Sequence, residues 1–281
     1  MQSHYFSVGS AVPWARAGVG AVATQATLDV RYGPLGLELM SGGKPARAAL
    51  KSLLAADAKP EVRQVAMVDS RGEVGAHTGK KCIPCAGHAT GRGVSCQGNI
   101  MKTERVWGAM KRAFEGGKRL PLPERLLAAL DAAQAEGGDL RGKQSAALRV
   151  VGPELKPNYW EGRLFELRVE DHPEPLAELR RLLGYQRAYR WMDLGDDLLS
   201  SNKLEGALDA YARGMRLVPG ELELEYWVAM GLLSSGKDRR RGLRMLKEVC
   251  AKDSNWVQVT EGLVKIGQPK LDPAILRHVR G

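Results

Sequence analysis

An α+β domain followed by an all-α extension is the fold class the sequence predicts, on three observations. Strand signals stand before and after a helical middle in the first two-thirds of the 281 residues. From about Leu182 the texture turns to helices alone. A hydrophobic fraction of 44% against 26% charged, with only 3 Phe, supplies a core built on Ala, Leu and Val and excludes a disordered chain. Strands on both sides of a helical middle predict two sheets with helices packed outside, a three-layer α/β sandwich being the alternative. The domains are read as 1–183 and 184–281.

Taken in order, residues 3–8 and 18–25 read as short strands joined through Pro13 and Trp14, with Val19, Ala21 and Ala23 at alternate positions. Residues 34–40 form a helix closed by Gly42 and Gly43, and 45–56 form another with proline at its first turn. Residues 62–68 and 74–78 flank Asp69-Ser70-Arg71-Gly72, a hairpin signal. A strand at 93–97 precedes a helix over 103–114, which carries Val106, Trp107, Met110 and Phe114 on one side. A second helix over 123–135 has the stripe Leu126, Leu127 and Leu130. Strands at 145–151 and 163–169 follow, and Asp171-His172-Pro173 turns the chain into a helix ending near Leu183.

Four helices complete the chain, at 185–200, 204–217, 221–233 and 239–251. Gly195, Ala207, Tyr211 and Pro219 fall at the small, small, aromatic and proline positions of a helical hairpin repeat of about 34 residues. Gly242 and Leu246 stand 35 residues after Ala207 and Tyr211, as in a second, degenerate copy. Two repeats are fewer than the roughly three that stand alone, so this segment is expected to lean on the preceding domain or on a partner.

The formal charge of +10 raises the question of nucleic acid, but the excess is spread along the chain. Its one dense run, residues 237–247, enters a helix as a solvated face, and no recognition motif accompanies it. No specific nucleic acid is expected. No apolar stretch reaches the roughly 18–20 residues of a membrane helix, and no ordered export signal opens the sequence, so the expectation is a cytoplasmic protein with no membrane partner. Cys82-Ile83-Pro84-Cys85 with His88 and Cys96 has neither the spacing nor the second tight pair of a zinc site, and its glycine-rich surroundings read as a loop. No metal and no cofactor are expected, and the Gly-x-Gly pairs at Gly18 and Gly91 lack the context of a nucleotide site.

The candidate chemistry lies in polar residues at strand ends. Thr24 and Gln25 end one strand, His77 and Thr78 another, and Gln97 with Asn99 a third. Gln144 and Ser145 open a fourth. Hydroxyl, imidazole and amide groups converging on one cleft suit a carbonyl or amide substrate; the plainer role is to satisfy loop backbone. Ser3 and His4 have the types of a nucleophile and its base, yet adjacent residues of a strand point to opposite faces. Asp139 pairs with Arg141 across the turn that precedes Gln144.

The segments Ser3-His4-Tyr5-Phe6-Ser7-Val8-Gly9-Ser10, Pro13-Trp14-Ala15-Arg16-Ala17-Gly18-Val19-Gly20-Ala21-Val22-Ala23-Thr24-Gln25, Gln97-Gly98-Asn99 and Gly138-Asp139 through Ala147 resemble a bacterial and archaeal domain-of-unknown-function family, number 1028. That family is similar in fold to the N-terminal nucleophile hydrolases. The resemblance covers Met1 to about Leu183 and implies an αββα sandwich, two antiparallel sheets face to face between helical layers. It further implies a strand and hairpin ahead of the residues matching Gln2-Ser3-His4, and a catalytic N-terminal Thr, Ser or Cys whose amine is the base.

With Met1 and Gln2 ahead of Ser3, the expectation for this sequence is a hydrolase-like protein without amide hydrolysis, the alternative being an active amidase when the upstream strand is present. Ser3, His4, Thr24 and Asn99 are the candidates for catalysis, and Gln25, His77, Gln97, Gln144 and Ser145 for holding a small amide or peptide substrate. The C-terminal segment resembles tetratricopeptide repeats, which implies a protein partner and a non-catalytic scaffold as a further reading. Homo-oligomerisation is compatible with the same surfaces.

Overall fold

The Asp69-Ser70-Arg71-Gly72 turn organises the largest sheet. Asp69 accepts the Arg71 and Glu73 amides on Oδ1 (3.0 and 2.9 Å), and Gly72 supplies the positive φ of 81° that the turn requires. The same carboxylate accepts the Ala46 amide at 3.0 Å, tying the turn to the start of a helix. The computed structural model describes residues 1–267 and 269–279. It divides into two units, Met1–Arg181 and Leu182–Gly281.

In the first unit, β2 (Pro13–Arg16), β3 (Gly20–Ala26), β4 (Arg63–Asp69) and β5 (Val74–Thr78) form an antiparallel sheet in that order, following β1 (Gln2–Ser3) in the chain. β3 and β4 pair from Gly20 opposite Asp69 to Ala26 opposite Arg63. Side chains alternate between faces. Val22, Val65 and Met67 bury against α1 (Tyr32–Ser41) and α2 (Ala46–Ala56), joined by Trp14, Leu37 and Leu50. A Cβ on Gly33 would stand 2.3 Å from the Trp14 ring, so that glycine sets how closely α1 meets the sheet. Ala21, Ala23, Ala66 and Val68 belong to the other face and line an internal cavity.

β8 (Ser145–Val151) and β9 (Arg163–Val169) form a second sheet with β1, in the order β1-β8-β9. β9 runs beside β8 over its length, whereas β1 covers only its first residues, with Gln2 opposite Ala146 and Ser3 opposite Ser145. A third, two-stranded sheet joins β6 (Gly87–Gly91) to β7 (Val94–Gly98), and α3 (Val106–Gly116) and α4 (Leu122–Ala135) pack with it through Val94, Cys96, Phe114 and Ala129.

Five sequence expectations are corrected. Pro13 and Trp14, expected in a turn-rich link between two strands, lie in β2, which pairs with β3 from Pro13 opposite Ala23 to Arg16 opposite Gly20. The strand expected over 3–8 stops at Ser3, because the buried Ser145 hydroxyl donates to the Tyr5 carbonyl and accepts the Val8 amide, bending the chain into a turn with Ser7 at φ 55°. The Cys82–Cys85 region was read as loop through Gly93, but β6 forms there. Its glycines are needed for packing: a Cβ on Gly87 would meet the Trp107 ring at 2.5 Å. The helix expected to end near Leu183 continues as α5 (Pro175–Ser200). Gly184 costs it about 1 kcal/mol, which the burial of Leu179, Leu183 and Ala188 outweighs. A helix at Asn255–Ile266 went unread; its Thr260 is fully buried and pairs with the Tyr226 hydroxyl at 3.1 Å.

In the second unit, α6 (Leu204–Leu217), α7 (Leu222–Ser235), α8 (Arg239–Lys252) and α9 (Asn255–Ile266) follow α5. Tyr211 is fully buried with its ring against Gly195, where a Cβ would stand 2.2 Å away, and its hydroxyl donates to Asp196 at 2.6 Å. Gly242 receives Leu233 in the same manner at 2.9 Å. The small positions noted in the sequence are thus contact points between helices. No helix among the described residues is long and apolar enough to cross a membrane.

Candidate functional site

A cavity of about 570 Å³ opens between the alanine-rich face of the β2–β5 sheet on one side and β8, α3 and α4 on the other. Its walls are apolar, from Ala23 and Ala66 to Met110, Phe114, Leu126 and Leu130. Its polar lining includes Gln2, Ser3, Gln25, Ser95, Gln97, Asn99, Arg149 and the pair Asp139 and Arg141. The volume lies within the ordinary range of small-ligand sites, about 300–1,000 Å³.

Two backbone links set this polar lining. Residues 99–102 run beside 138–140: Leu140 donates to the Ile100 carbonyl (2.8 Å), Lys102 donates to that of Gly138 (2.9 Å), and Met101 bridges to Asp139. This joins the chain after β7 to the turn before β8, so Asn99 and Asp139 share one cavity although 40 positions apart. Ile100 takes up a left-handed φ of 58° at this crossing, and Ala26, also on the wall, one of 62°. For a β-branched residue that conformation costs energy, of order 1–3 kcal/mol, held in place by the surrounding ladder.

Asp139 is 6% exposed. Arg141 grips it with Nε on Oδ1 (3.0 Å) and Nη2 on Oδ2 (2.7 Å), and Ser3 Oγ donates to Oδ2 at 3.3 Å. Burial pushes the Asp139 carboxyl up, but hydrogen bonds from the Arg141 side chain and backbone and from the His4 amide outweigh it, leaving the group below the usual carboxylate range. Such a carboxylate is a weak proton acceptor, so it orients Ser3 without activating it. Gln2 contributes a different feature: its Nε2 is buried without a hydrogen-bond partner among the described residues. A buried amide donor left unmade costs roughly 1–3 kcal/mol, which a ligand oxygen would relieve.

Asn99 is oriented from behind. Its Nδ2 donates to Gln64 Oε1 at 3.1 Å, and Gln64, fully buried, places its own Nε2 within reach of Gly98 O (2.8 Å), Thr78 Oγ1 (3.1 Å) and Gly87 O (3.2 Å). One side chain from β4 therefore ties the β6–β7 hairpin to the main sheet. With one amide hydrogen committed to Gln64, Asn99 has the second and Oδ1 for the cavity. Gln97 accepts Ser95 Oγ at 2.8 Å on its oxygen.

Strand alternation separates the remaining candidates. Thr24 shares the Val22 face; it is fully buried, donates to Asp29 O at 3.1 Å and does not line the cavity. His77 is opposite Val65, also on that face, and Nε2 donates to Pro60 O at 2.8 Å. His4, next to Ser3, is exposed on the other side of the chain. Ser145 is fully buried under the turn at Tyr5–Val8, and Gln144 meets the site only through backbone, its amide donating to Ser3 O at 3.1 Å. Of the nine candidates, Ser3, Gln25, Gln97 and Asn99 are brought together; His4, Thr24, His77, Gln144 and Ser145 are not. Gln2 and Gln64 were missed, although a glutamine inside the apolar run at 62–68 was a visible signal.

The cysteines are free, Cys82 with its Sγ directed to Arg63 O at 3.4 Å. Among the described residues no group of three or more His, Cys, Asp or Glu side chains is placed to hold a metal ion.

Residues 1–179 match the family of unknown function DUF1028. Among solved structures, the crystal structure of protein SPO2555 from Silicibacter pomeroyi, of the same family, is similar with a TM-score of 0.57 and 28% identity over 65% of this chain and 79% of that one. No match was found among curated proteins.

Proposed function

We propose, from the premise that the chain belongs to the family of unknown function DUF1028, that its N-terminal unit binds a small, mainly apolar ligand with an amide or carboxylate end and does not hydrolyse it. The observation that carries this reading is the unpaired Gln2 Nε2 in the polar lining of an otherwise apolar cavity, beside Asn99 and the Asp139–Arg141 pair. Gln2 and Asn99 donate to the ligand's oxygen, and Arg141, 41% exposed, faces a negative end. Ser3 contacts the ligand but stays a hydroxyl, since its neighbours Asp139 and Arg141 take no proton from it.

This reading keeps the amide-directed chemistry of the N-terminal nucleophile hydrolases while assigning the polypeptide a binding role. Support for that likeness is the cavity with a helix-covered sheet on one side and β8, α3 and α4 on the other. The second unit, with Gly195 against Tyr211, is read as tetratricopeptide-like hairpins that offer a surface to a protein partner. Four free cysteines suit a reducing cytoplasm.

Titration with N-octanoylglycine and N-acetylleucinamide, followed by calorimetry and by mass spectrometry of the recovered ligand, tests the proposal. Saturable binding with both ligands returned intact is expected, weakened about 3- to 10-fold in Gln2→Leu and in Asn99→Ala, the worth of one neutral hydrogen bond. Cleavage that disappears in Ser3→Ala would make the protein an amidase.

A further inference from the structure

α8 carries the dense basic run of the sequence, and the fold of the second unit gives that run a shape. The buried stripe of the helix is Gly242, Leu246, Val249 and Cys250. Between Arg239 and Lys252 its one carboxylate is Glu248, among six basic residues. The two ends of the run are engaged, Arg239 Nη2 with Asp272 at 2.8 Å and Lys252 Nζ with Glu225 at 3.2 Å. Asp238, ahead of the helix, is turned to the backbone and accepts the Arg241 amide at 3.0 Å. Among the described residues no carboxylate pairs with Arg240, Arg241, Arg244 or Lys247. Along this helix lies a hollow of about 300 Å³, with Arg241 and Arg244 at one end and the Lys252–Glu225 pair at the other. Met215 of α6 and Met245 of α8 line it, both half-buried and packed on the cluster of Tyr211, Leu224 and Val228. Two free guanidinium groups thus border an apolar floor fixed to the core of the unit.

Resting on the reading of the second unit as a surface for a protein partner, we infer that this hollow takes an acidic, extended segment of that partner, with carboxylates on Arg241 and Arg244 and an apolar side chain on the two methionines. The argument is charge complementarity, and the lining selects a peptide over other polyanions. Glu225 and Glu248 interrupt the cations, so an unbroken phosphate backbone meets repulsion where a peptide can place a neutral residue. The residues of the lining include no aromatic ring on which a base could stack. α8 keeps its apolar stripe inside the unit and has no such face to give a bilayer. The planar fork of each arginine receives a carboxylate through two bonds, and thioethers adapt to the shape of an apolar side chain. From Arg241 to Lys252 the helix rises about 16 Å, the length of about five extended residues.

The probe is the C-terminal amide of Gly-Asp-Leu-Glu-Glu-Leu-Asp with an uncharged fluorophore on its N-terminus, titrated into the full chain and followed by anisotropy. Arg241→Ala and Arg244→Ala are each expected to weaken binding about 5- to 10-fold, the worth of one charge-assisted contact at a wet surface, with Arg244→Lys losing less. Lys247→Ala, on the same helix but outside the hollow, is expected to change it by less than about 2-fold. Serine in place of both peptide leucines is expected to weaken binding about 10-fold with the protein unaltered, since the methionine floor then has nothing apolar to cover it. Equal losses in Lys247→Ala and Arg244→Ala would show a diffuse field in place of a site and overturn the inference. So would tighter binding of hexathymidylate, or of phosphatidylserine vesicles, than of the peptide. Full binding of the isostere Gly-Asn-Leu-Gln-Gln-Leu-Asn, unchanged in Arg244→Ala, would overturn it too and leave the second unit a peptide-binding surface. Absence of binding by every peptide of the series would overturn both readings.

Discussion

Replacing Asp57 by Ala is expected to cost about 3 kcal/mol of opening free energy in the N-terminal unit, read from hydrogen exchange of the β4 amides. The carboxylate, 5% exposed, receives Arg63 Nε at 2.7 Å and the Tyr32 hydroxyl at 2.9 Å, and so joins α1, the end of α2 and the start of β4. Removing one member of a buried pair typically costs about 3–5 kcal/mol, because the partner keeps its charge without compensation. The lower end applies because Arg63 retains Thr27 O at 2.7 Å and Asp29 at 3.8 Å. The hydrogen bond from Arg63 holds the Asp57 carboxyl well below the usual carboxylate range. A group depressed in the folded state stabilises fully above its unfolded value, about 3.9, and loses that contribution as pH falls toward the folded value. The wild-type opening free energy is therefore expected to fall below about pH 4, with a shallower acid slope in Asp57→Asn. Equal acid slopes would show that the pair contributes nothing to acid stability.

Gln64→Leu is expected to cost a further unit of this size, about 3 kcal/mol, and to act on the site as well as on the fold. Leucine keeps the bulk but leaves the Gly98 and Gly87 carbonyls without their donor, at roughly 1–3 kcal/mol each. It also releases Asn99. Faster exchange confined to β6 and β7, together with weaker binding of N-octanoylglycine, is the expected pair of results. Loss spread evenly over the β2–β5 sheet would show that Gln64 serves the general core rather than the hairpin.

The pattern of residues was enough to place most elements of this chain, because strands and helices of ordinary length declare themselves through alternation and apolar stripes. The hairpin around Asp69 and the strands at 145–151 and 163–169 were legible for this reason. β6 was not, since Gly87, one of the glycines that signal a loop in sequence, is there to admit the Trp107 ring. Gly184 misled in the opposite sense: one weak helix former was read as a stop inside a helix held by its buried leucines. For the site, the strand ends were the right places and the faces were not resolved. Gln25 reaches the cavity and Thr24 does not because neighbouring residues take opposite faces, and which face becomes the interior is settled only by the partner layer. Gln2 lacked any local signal; its significance comes from the missing partner of a buried amide.

The attachment of β6–β7 to the rest of the unit through the Gln64 side chain has a chemical consequence. Cys96 lies in β7, 3% exposed, and burial, reinforced by Glu115, pushes its thiol up to about 11. A buried neutral thiol reacts slowly with an alkylating reagent, and because Cys96 lines the cavity its modification waits on entry of reagent into that space or on an excursion of the hairpin away from α3. The alkylation half-life of Cys96 is thus a clock for access to the cavity wall. Because Gln97 and Asn99 line the same cavity and travel with the same segment, a ligand held by them is expected to slow the clock in proportion to its occupancy, giving a binding isotherm written in the rate of a reaction at a thiol on the cavity wall.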